Sequence, residues 1–256
     1  AEKGFWLKFG IDEQTLKRFN VSSLEEFSTT SKIGNPYTTK SSFDKFIFAY
    51  ENDNWVKLYK PLDEKKYKFQ YLGTKEQGFI FGWKQLPENG ELLIITGGEK
   101  DVMTLAAKGF NAITLNSETA TLPKNIVDEL KLRFKTILVL YDNDETGLKQ
   151  SNILAVAHGL HRLVLPTLQN NGKDISDYFA NGETIEKFNN LLLTAIQSPA
   201  PVELDVEKSV YNAVELLARG EVEQQYLMQP IFPQKGSAVL AGKPDTGKSQ
   251  FARQLC

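Results

Sequence analysis

Apolar positions divide this chain into regions of different period. From Phe5 to Phe19, apolar residues at Phe5, Leu7, Phe9, Leu16 and Phe19 read as a helix. Residues 22–42 are rich in Ser, Thr and Lys and are expected to be loop. Short strand-like runs follow at Lys45–Tyr50, Trp55–Tyr59, Phe69–Leu72 and Phe79–Phe81, with Glu51-Asn52-Asp53-Asn54 as a hairpin turn between the first two. After residue 90 the pattern alternates. Leu92–Thr96 is a short apolar run of the kind found in buried parallel strands. Then come a helix over Lys100–Lys108 closed by Gly109, a strand over Ala112–Leu115, a helix over Asn125–Phe134, a strand over Thr136–Tyr141, a helix over Thr146–Leu160 and a strand over Arg162–Leu165. A further helix is expected over Thr184–Ile196 and another over Val206–Ala218, and Ser237–Ala241 reads as a strand.

Strand and helix in strict alternation predict a four-stranded parallel sheet with helices on its faces. The fold class is therefore α/β, with a mixed α+β subdomain before the sheet. The expected divisions are 1–88, 89–200, a connector over 201–235 at the boundary marked by Ser198-Pro199-Ala200-Pro201, and a last segment over 236–256. In such sheets ligands bind beyond the carboxyl ends of the strands, which directs attention to Gly97–Asp101, Asn116–Thr119, Asp142–Gly147 and the stretch after Pro166.

Composition narrows the function classes. Hydrophobic residues make up 41% and charged residues 24% of 256 residues, and no run approaches the roughly 20 apolar residues of a membrane helix. No membrane partner is expected. The lone cysteine, Cys256, excludes an internal disulfide or a Cys-based zinc site within this stretch and fits a reducing, cytoplasmic setting. Net charge is −2, so any nucleic-acid contact must come from a local basic patch.

The candidate chemistry lies at the strand ends. Asp142 and Asp144, spaced i and i+2 just past the most apolar strand, can converge on one hard cation, and Gly147 lets the next helix start close behind them. Taken alone, this Asp-x-Asp also reads as an acidic turn capping a helix. Glu99 and Asp101 after the first strand, and Asp174 and Asp177 after the fourth, gather more carboxylates at the same edge. Like charges repel, and a bound Mg²⁺ or Mn²⁺ is the natural compensation.

Three blocks carry a resemblance. Gly97-Gly98-Glu99-Lys100-Asp101, Tyr141-Asp142-Asn143-Asp144-Glu145-Thr146-Gly147 and Lys173-Asp174-Ile175-Ser176-Asp177-Tyr178 resemble, in order and spacing, the signature blocks of the Toprim domain, over about residues 90–182. Toprim domains occur in bacterial replicative primases, phage primase–helicases, topoisomerases and some nucleases. The resemblance implies metal-binding roles for Asp142, Asp144 and Asp174, joined by Glu99 and Asp101, and catalytic roles for Glu99, Asp142 and Asp144. The first block departs from the family pattern Glu-Gly-x-x-Asp. Aligned on Gly98 and Asp101, Gly97 stands where the family has its catalytic glutamate, so Glu99 is expected to supply the missing acid, with Glu118 another possible substitute. Ser176 stands where replicative primases carry a further aspartate.

The first subdomain selects among Toprim classes. Phe9–Phe19 resembles the entry helix of the primase catalytic core, and Lys68-Phe69-Gln70-Tyr71-Leu72, Lys75 and Phe81-Gly82 resemble the primase stretch before Toprim. Lys60, Lys65, Lys66, Lys68 and Lys75 lie among Tyr59, Tyr67, Phe69 and Tyr71. Lysines pair with phosphates and aromatics stack on unpaired bases, so Lys66, Lys68 and Lys75 are candidates for holding a single-stranded DNA template or incoming nucleotides. An ordinary hairpin with lysines outward and aromatics inward is the alternative.

Gly242-Lys243-Pro244-Asp245-Thr246-Gly247-Lys248-Ser249 fits G-x-x-x-x-G-K-[ST] between a strand-like and a helix-like run. It resembles the Walker A loop of RecA-like helicases, with Gly242, Gly247, Lys248 and Ser249 on ATP. The picture is a primase of the primase–helicase type, truncated just after Walker A, with the helicase domain of the same parent chain as its partner. A silent Toprim module that binds DNA and a Toprim nuclease are the competing readings. Seven residues follow Ser249, too few for a strand carrying a Walker B acid. This stretch by itself is expected to neither hydrolyse ATP nor unwind DNA, and a phosphate-release assay on the purified 256-residue chain checks this.

Overall fold

The computed structural model describes residues 2–31, 33–117, 120–168, 170, 172–198, 226–228 and 232–233. The chain forms two units, Ala1–Leu204 and Asp205–Cys256. The expected helix over Val206–Ala218, the strand over Ser237–Ala241, Cys256 and the phosphate-loop residues Gly242, Gly247, Lys248 and Ser249 lie outside the described residues, as does Glu118.

The first unit opens with α1 (Glu2–Leu7) and α2 (Glu13–Arg18). The single helix expected over Phe5–Phe19 is thus broken. Gly10 sits at φ +74°, a conformation that ends a helix, and Asp12 restarts it by accepting a hydrogen bond from Thr15 N–H at 2.7 Å. The expected loop over 22–42 is also corrected. It contains most of β1 (Val21–Ser23) and the antiparallel ribbon of β2 (Glu26–Thr30) and β3 (Pro36–Lys40). Only Phe27 of this ribbon is a buried hydrophobic side chain, so no apolar alternation marks it. Its cross-strand pairs are polar instead, Ser28 with Thr38 at 2.8 Å and Lys40 with Glu26 at 3.2 Å.

β4 (Phe48–Glu51), β5 (Trp55–Tyr59) and β6 (Phe69–Gly73) complete an antiparallel sheet of order β1-β4-β5-β6. Phe79–Phe81 is no strand; only Phe81 pairs, as an isolated bridge to Thr114. Then come β7 (Gly90–Thr96), α3 (Glu99–Ala107), β8 (Asn111–Thr114), α4 (Lys124–Arg133), β9 (Phe134–Leu140), α5 (Glu145–His158) and β10 (His161–Arg162). Their strands form the expected four-stranded parallel sheet, in order β10-β9-β7-β8. β10 is shorter than the expected Arg162–Leu165. Leu163 N–H still donates to Val139, but Leu165 turns its carbonyl to the Asn143 side chain and Pro166 follows. α6 (Ile175–Ala180), not expected from the sequence, and α7 (Ile185–Gln197) close the unit. In the second unit β11 (Tyr226–Met228) pairs antiparallel with β12 (Phe232–Pro233).

Alternation along β7 and β9 builds two cores. Leu93, Ile95, Ile137 and Val139 face Val127, Leu130 and Leu154 of α4 and α5. Ile94, Leu138 and Leu140 join α3, α6 and α7 in a cluster that continues through Phe81 into Phe48, Tyr50 and Trp6 of the first subdomain. The antiparallel and parallel sheets therefore share one core. A smaller cluster of Phe27, Ile47, Ala49 and Leu58 fills the other face of the antiparallel sheet. Among the described residues, no helix is long and apolar enough to cross a membrane.

The chain returns unusually tightly at the start of α5. A Cβ on Gly147 would stand 2.2 Å from the Asp142 carbonyl oxygen. Gly147→Ala is expected to cost about 1–3 kcal/mol, as overpacking does, and to displace Asp142. Urea denaturation measures the first effect and loss of divalent-ion affinity the second.

Candidate functional site

Strand order places a crevice in the parallel sheet. β7 connects to β8 on one side, while β9 lies on the other, so the loops after β7 and β9 diverge at their carboxyl ends. The carboxylates of Asp101, Asp142 and Asp174 meet at this edge, with one oxygen of each within 4.8 Å of the others. Asp101 lies in the first turn of α3, Asp142 just after β9, and Asp174 is the N-cap of α6, accepting from Asp177 N–H at 2.7 Å.

Asp101 is 4% exposed and sits on a hydroxyl pair. Ser176 Oγ donates to it at 2.5 Å, and Thr104 Oγ1 lies 3.0 Å from Ser176 Oγ. Lysines compensate the remaining charge. Lys100 Nζ donates to both Asp174 oxygens at 3.1 and 3.0 Å and lies 3.7 Å from Asp101. Lys173 Nζ bridges Asp142 at 2.6 Å and Asp144 at 2.7 Å. Asp144 also caps α5, accepting from Gly147 N–H at 2.9 Å. The backbone joins the same loops, because Asn143 N–H donates to the Lys173 carbonyl at 2.7 Å.

Glu99 is turned the other way. Its carboxylate pairs with Lys57 of β5, whose side chain is nearly buried. The triad thus joins three of the five expected metal-site residues, while Asp144 stands beside it on Lys173 and Glu99 is held by Lys57. The sequence reading missed the lysines as partners. Lys100 and Lys173 were visible as neighbours of the acids; nothing in the sequence links Lys57 to Glu99, 42 residues away.

The expected template lysines flank β6, Lys66 and Lys68 before it and Lys75 after it. β6 is an edge strand whose Phe69 and Tyr71 are 48% and 41% exposed. Lys57 Nζ lies 4.3 Å from the Phe69 ring centre, and Lys75 Nζ lies 4.5 Å from that of Tyr71. Lys66 is exposed and pairs with Glu64 at 3.3 Å; Lys68 is half-buried next to Phe69 in sequence.

The electrostatics reflect crowding. Burial, and then the charge of Asp174, push the Asp101 carboxyl up to about 7, against the pull of Lys100 and Ser176. Burial also raises Asp142, though Lys173 opposes it. The Lys173 hydrogen bond, helped by Gly147 N–H, holds Asp144 below the usual carboxylate range. Burial opposes the charge on Lys173, but hydrogen bonds and charge from Asp142 and Asp144 outweigh it and raise that ammonium.

The donor set suits a hard divalent cation. Three carboxylates supply oxygens, and oxygens sharing one Mg²⁺ at about 2.1 Å lie at most about 4.2 Å apart, so a small contraction of the triad would bring all three onto one ion, with the other positions left to water or substrate oxygens. Asp101, Asp142 and Asp174 are the residues that could hold it, and Asp144 could join on release from Lys173.

The fold has solved relatives. The chain is similar to the Aquifex aeolicus primase (zinc-binding and RNA polymerase domains), with TM-score 0.52 and 15% identity over 75% of this chain, and it spans only 55% of that one. It is similar to the E. coli primase catalytic core, with TM-score 0.54 and 16% identity over 76% of this chain and 72% of the other. A DnaG primase catalytic domain bound to single-stranded DNA gives TM-score 0.54 and 16% identity over 76% and 73%. No protein-family profile matches the chain, and no curated protein matches it by sequence. The α/β fold, a four-stranded parallel sheet beside an antiparallel subdomain, is that of primase catalytic cores.

The raised Asp101 fixes a sign. An ordinary aspartate titrates near 3.9, about three units below the folded value, so between roughly pH 4 and 7 the folded chain holds a proton that the unfolded chain has lost. Stability of the metal-free protein therefore falls as pH rises through that window. Asp101→Asn should flatten the fall and raise the melting temperature at pH 8. Thermal melts in EDTA from pH 4.5 to 8 test both; a melting temperature that rises across the window in the parent chain would refute the argument.

Proposed function

We propose that this chain is the catalytic core of a metal-dependent, template-directed DNA primase of the Toprim class, part of a larger primase–helicase. The observation that carries the proposal is the convergence of Asp101, Asp142 and Asp174 at the crevice of a sheet with the primase-core fold. In this reading residues 1–88 form the first subdomain of the core, 89–200 the Toprim domain, 201–235 a connector, and 236–256, with Gly242, Gly247, Lys248 and Ser249, the start of an ATP-binding helicase domain.

Asp101, Asp142 and Asp174, with Asp144, hold Mg²⁺ or Mn²⁺. When bound, the cation supplies charge stabilisation to the phosphates of phosphoryl transfer. The chain's own groups do the rest. Lys100 and Lys173 give up part of their carboxylate pairing and turn toward triphosphate oxygens. Ser176 fixes the Asp101 carboxylate. Phe69 and Tyr71 offer ring faces to unpaired template bases, with Lys66, Lys68 and Lys75 on backbone phosphates. That one solved relative is described as bound to single-stranded DNA supports a strand as the partner.

The Lys57–Glu99 pair favours a second reading. Glu99 is the acid expected to substitute at Gly97, and here it is occupied. A silent module that binds metal and single strands without synthesis follows if that pair never opens.

Primer synthesis on single-stranded DNA with labelled nucleotides separates the readings. Short products are expected with Mg²⁺ or Mn²⁺, falling about 100-fold or more in Asp142→Ala and in Glu99→Ala. Divalent-ion binding by calorimetry should be lost in Asp142→Ala. Metal and strand binding without any product selects the silent module; no metal binding at all refutes both.

A further inference from the structure

The half-exposed aromatic edge leads away from the carboxylates into a separate cleft. From Glu99, paired with Lys57, the strip continues to Phe69 and Tyr71, and Tyr71 lies 5.9 Å from Trp55 between ring centres. Trp55 forms one wall of a cleft of about 1020 Å³ between the β4–β5 turn, the segment after β6 and α4. Phe79 meets Trp55 edge-on at 4.9 Å, and Trp83, with Arg133 over its ring at 5.2 Å, completes an aromatic lining. Lys75 belongs to both places: its ammonium lies over Tyr71 and, at 5.8 Å, over Trp55. Asn54 and Gln77, both exposed, are among the residues that line it and bring carboxamides.

We infer that this cleft takes an unpaired nucleobase from the strand lying on the Phe69–Tyr71 edge, and so reads template sequence at a distance from the metal site. The inference rests on the primase reading and adds a recognition site to it. Size admits a whole nucleotide. Charge decides which part enters. Glu76 stands at the cleft and repels a phosphate, whereas the base is neutral; Lys84 and Arg133, the cations besides Lys75, are already paired with Asp53 at 2.9 Å and with Glu129 at 3.6 Å. Phosphate therefore stays outside on Lys75 while the base slides against Phe79 and Trp83. A carboxamide offers a donor beside an acceptor; every unpaired base has one edge that matches it, but adenine presents the match on two, N6 with N1 and N6 with N7, so that Asn54 and Gln77 can each take one. The cleft thus selects an unpaired adenine nucleotide. That chemistry is shared by a strand and by a free mononucleotide; continuity with the aromatic edge assigns it to a strand.

The test is oligonucleotide binding in EDTA, followed by fluorescence anisotropy on the full chain, so that an idle metal site cannot affect it. Probes are oligo-dT strands of about ten nucleotides carrying one central dA, dC or dG, with adenosine monophosphate as the free-nucleotide arm. The dA strand should bind about tenfold more tightly than the others. Asn54→Ala with Gln77→Ala should abolish that preference and leave oligo-dT binding unchanged. Trp83→Leu, which keeps an apolar filler, should weaken the dA strand most. Equal affinity for all strands, or a preference that survives the carboxamide variants, overturns the proposal. Adenosine monophosphate binding as tightly as the dA strand also overturns it, assigning the cleft to free nucleotide. Absent primer synthesis with an intact dA preference counts against the primase reading alone.

Discussion

Mutual repulsion among carboxylates at the carboxyl edge of the parallel sheet is the constraint on which the rest of this protein turns. Asp101, Asp142 and Asp174 would not be stable together without positive charge, and the chain supplies it from two lysines while a third occupies the neighbouring Glu99. Lys100 comes from the same helix turn as Asp101, Lys173 from the loop before α6, and Lys57 from the other sheet, where it takes Glu99 out of the cluster. Asp101 then sits on the Ser176–Thr104 hydroxyl pair. The site is held in a balanced but electrostatically costly state. A divalent cation would relieve it.

That balance ties the two sheets together. The antiparallel sheet packs one face into the cluster that also holds Ile94, Leu138 and Tyr178, so β5 lies close enough for Lys57 to reach α3. The outermost strand, β6, extends past this packing and leaves Phe69 and Tyr71 partly open to solvent beside the acids. An edge strand carrying aromatic and basic side chains is a surface on which a flexible polyanion can lie. Its far end opens into the Trp55–Trp83 cleft. Fold, charge and exposure thus point along one line, from carboxylates to aromatic edge to cleft.

Much of the fold was legible because burial leaves a periodic trace. β7 and β9 are buried on both faces and read as continuous apolar runs; the helices between them carry their own spacing. The β2–β3 ribbon left no such trace, since its pairing is made by Ser, Thr and charged residues around a lone buried Phe27. α6 is short and reads as part of an acidic motif, with the capping Asp174 doubling as a site residue. The helix over Phe5–Phe19 looked continuous because apolar spacing does not register a positive φ at Gly10.

For the site, the residue types and their spacing were determined by the sequence: acids after strand ends, a glycine where the Asp142 backbone passes within van der Waals distance, and lysines interleaved with aromatics before the sheet. Which acids meet was decided only by tertiary structure. Strand order sets β7 beside β9 and so brings Asp101 to Asp142, while α6 delivers Asp174 and Ser176. Lys57 could be assigned to Glu99 in no other way. The physical reason is range: hydrophobic period acts over a few residues along the chain, whereas charge pairing acts over a few ångströms between segments that only the folded core brings together.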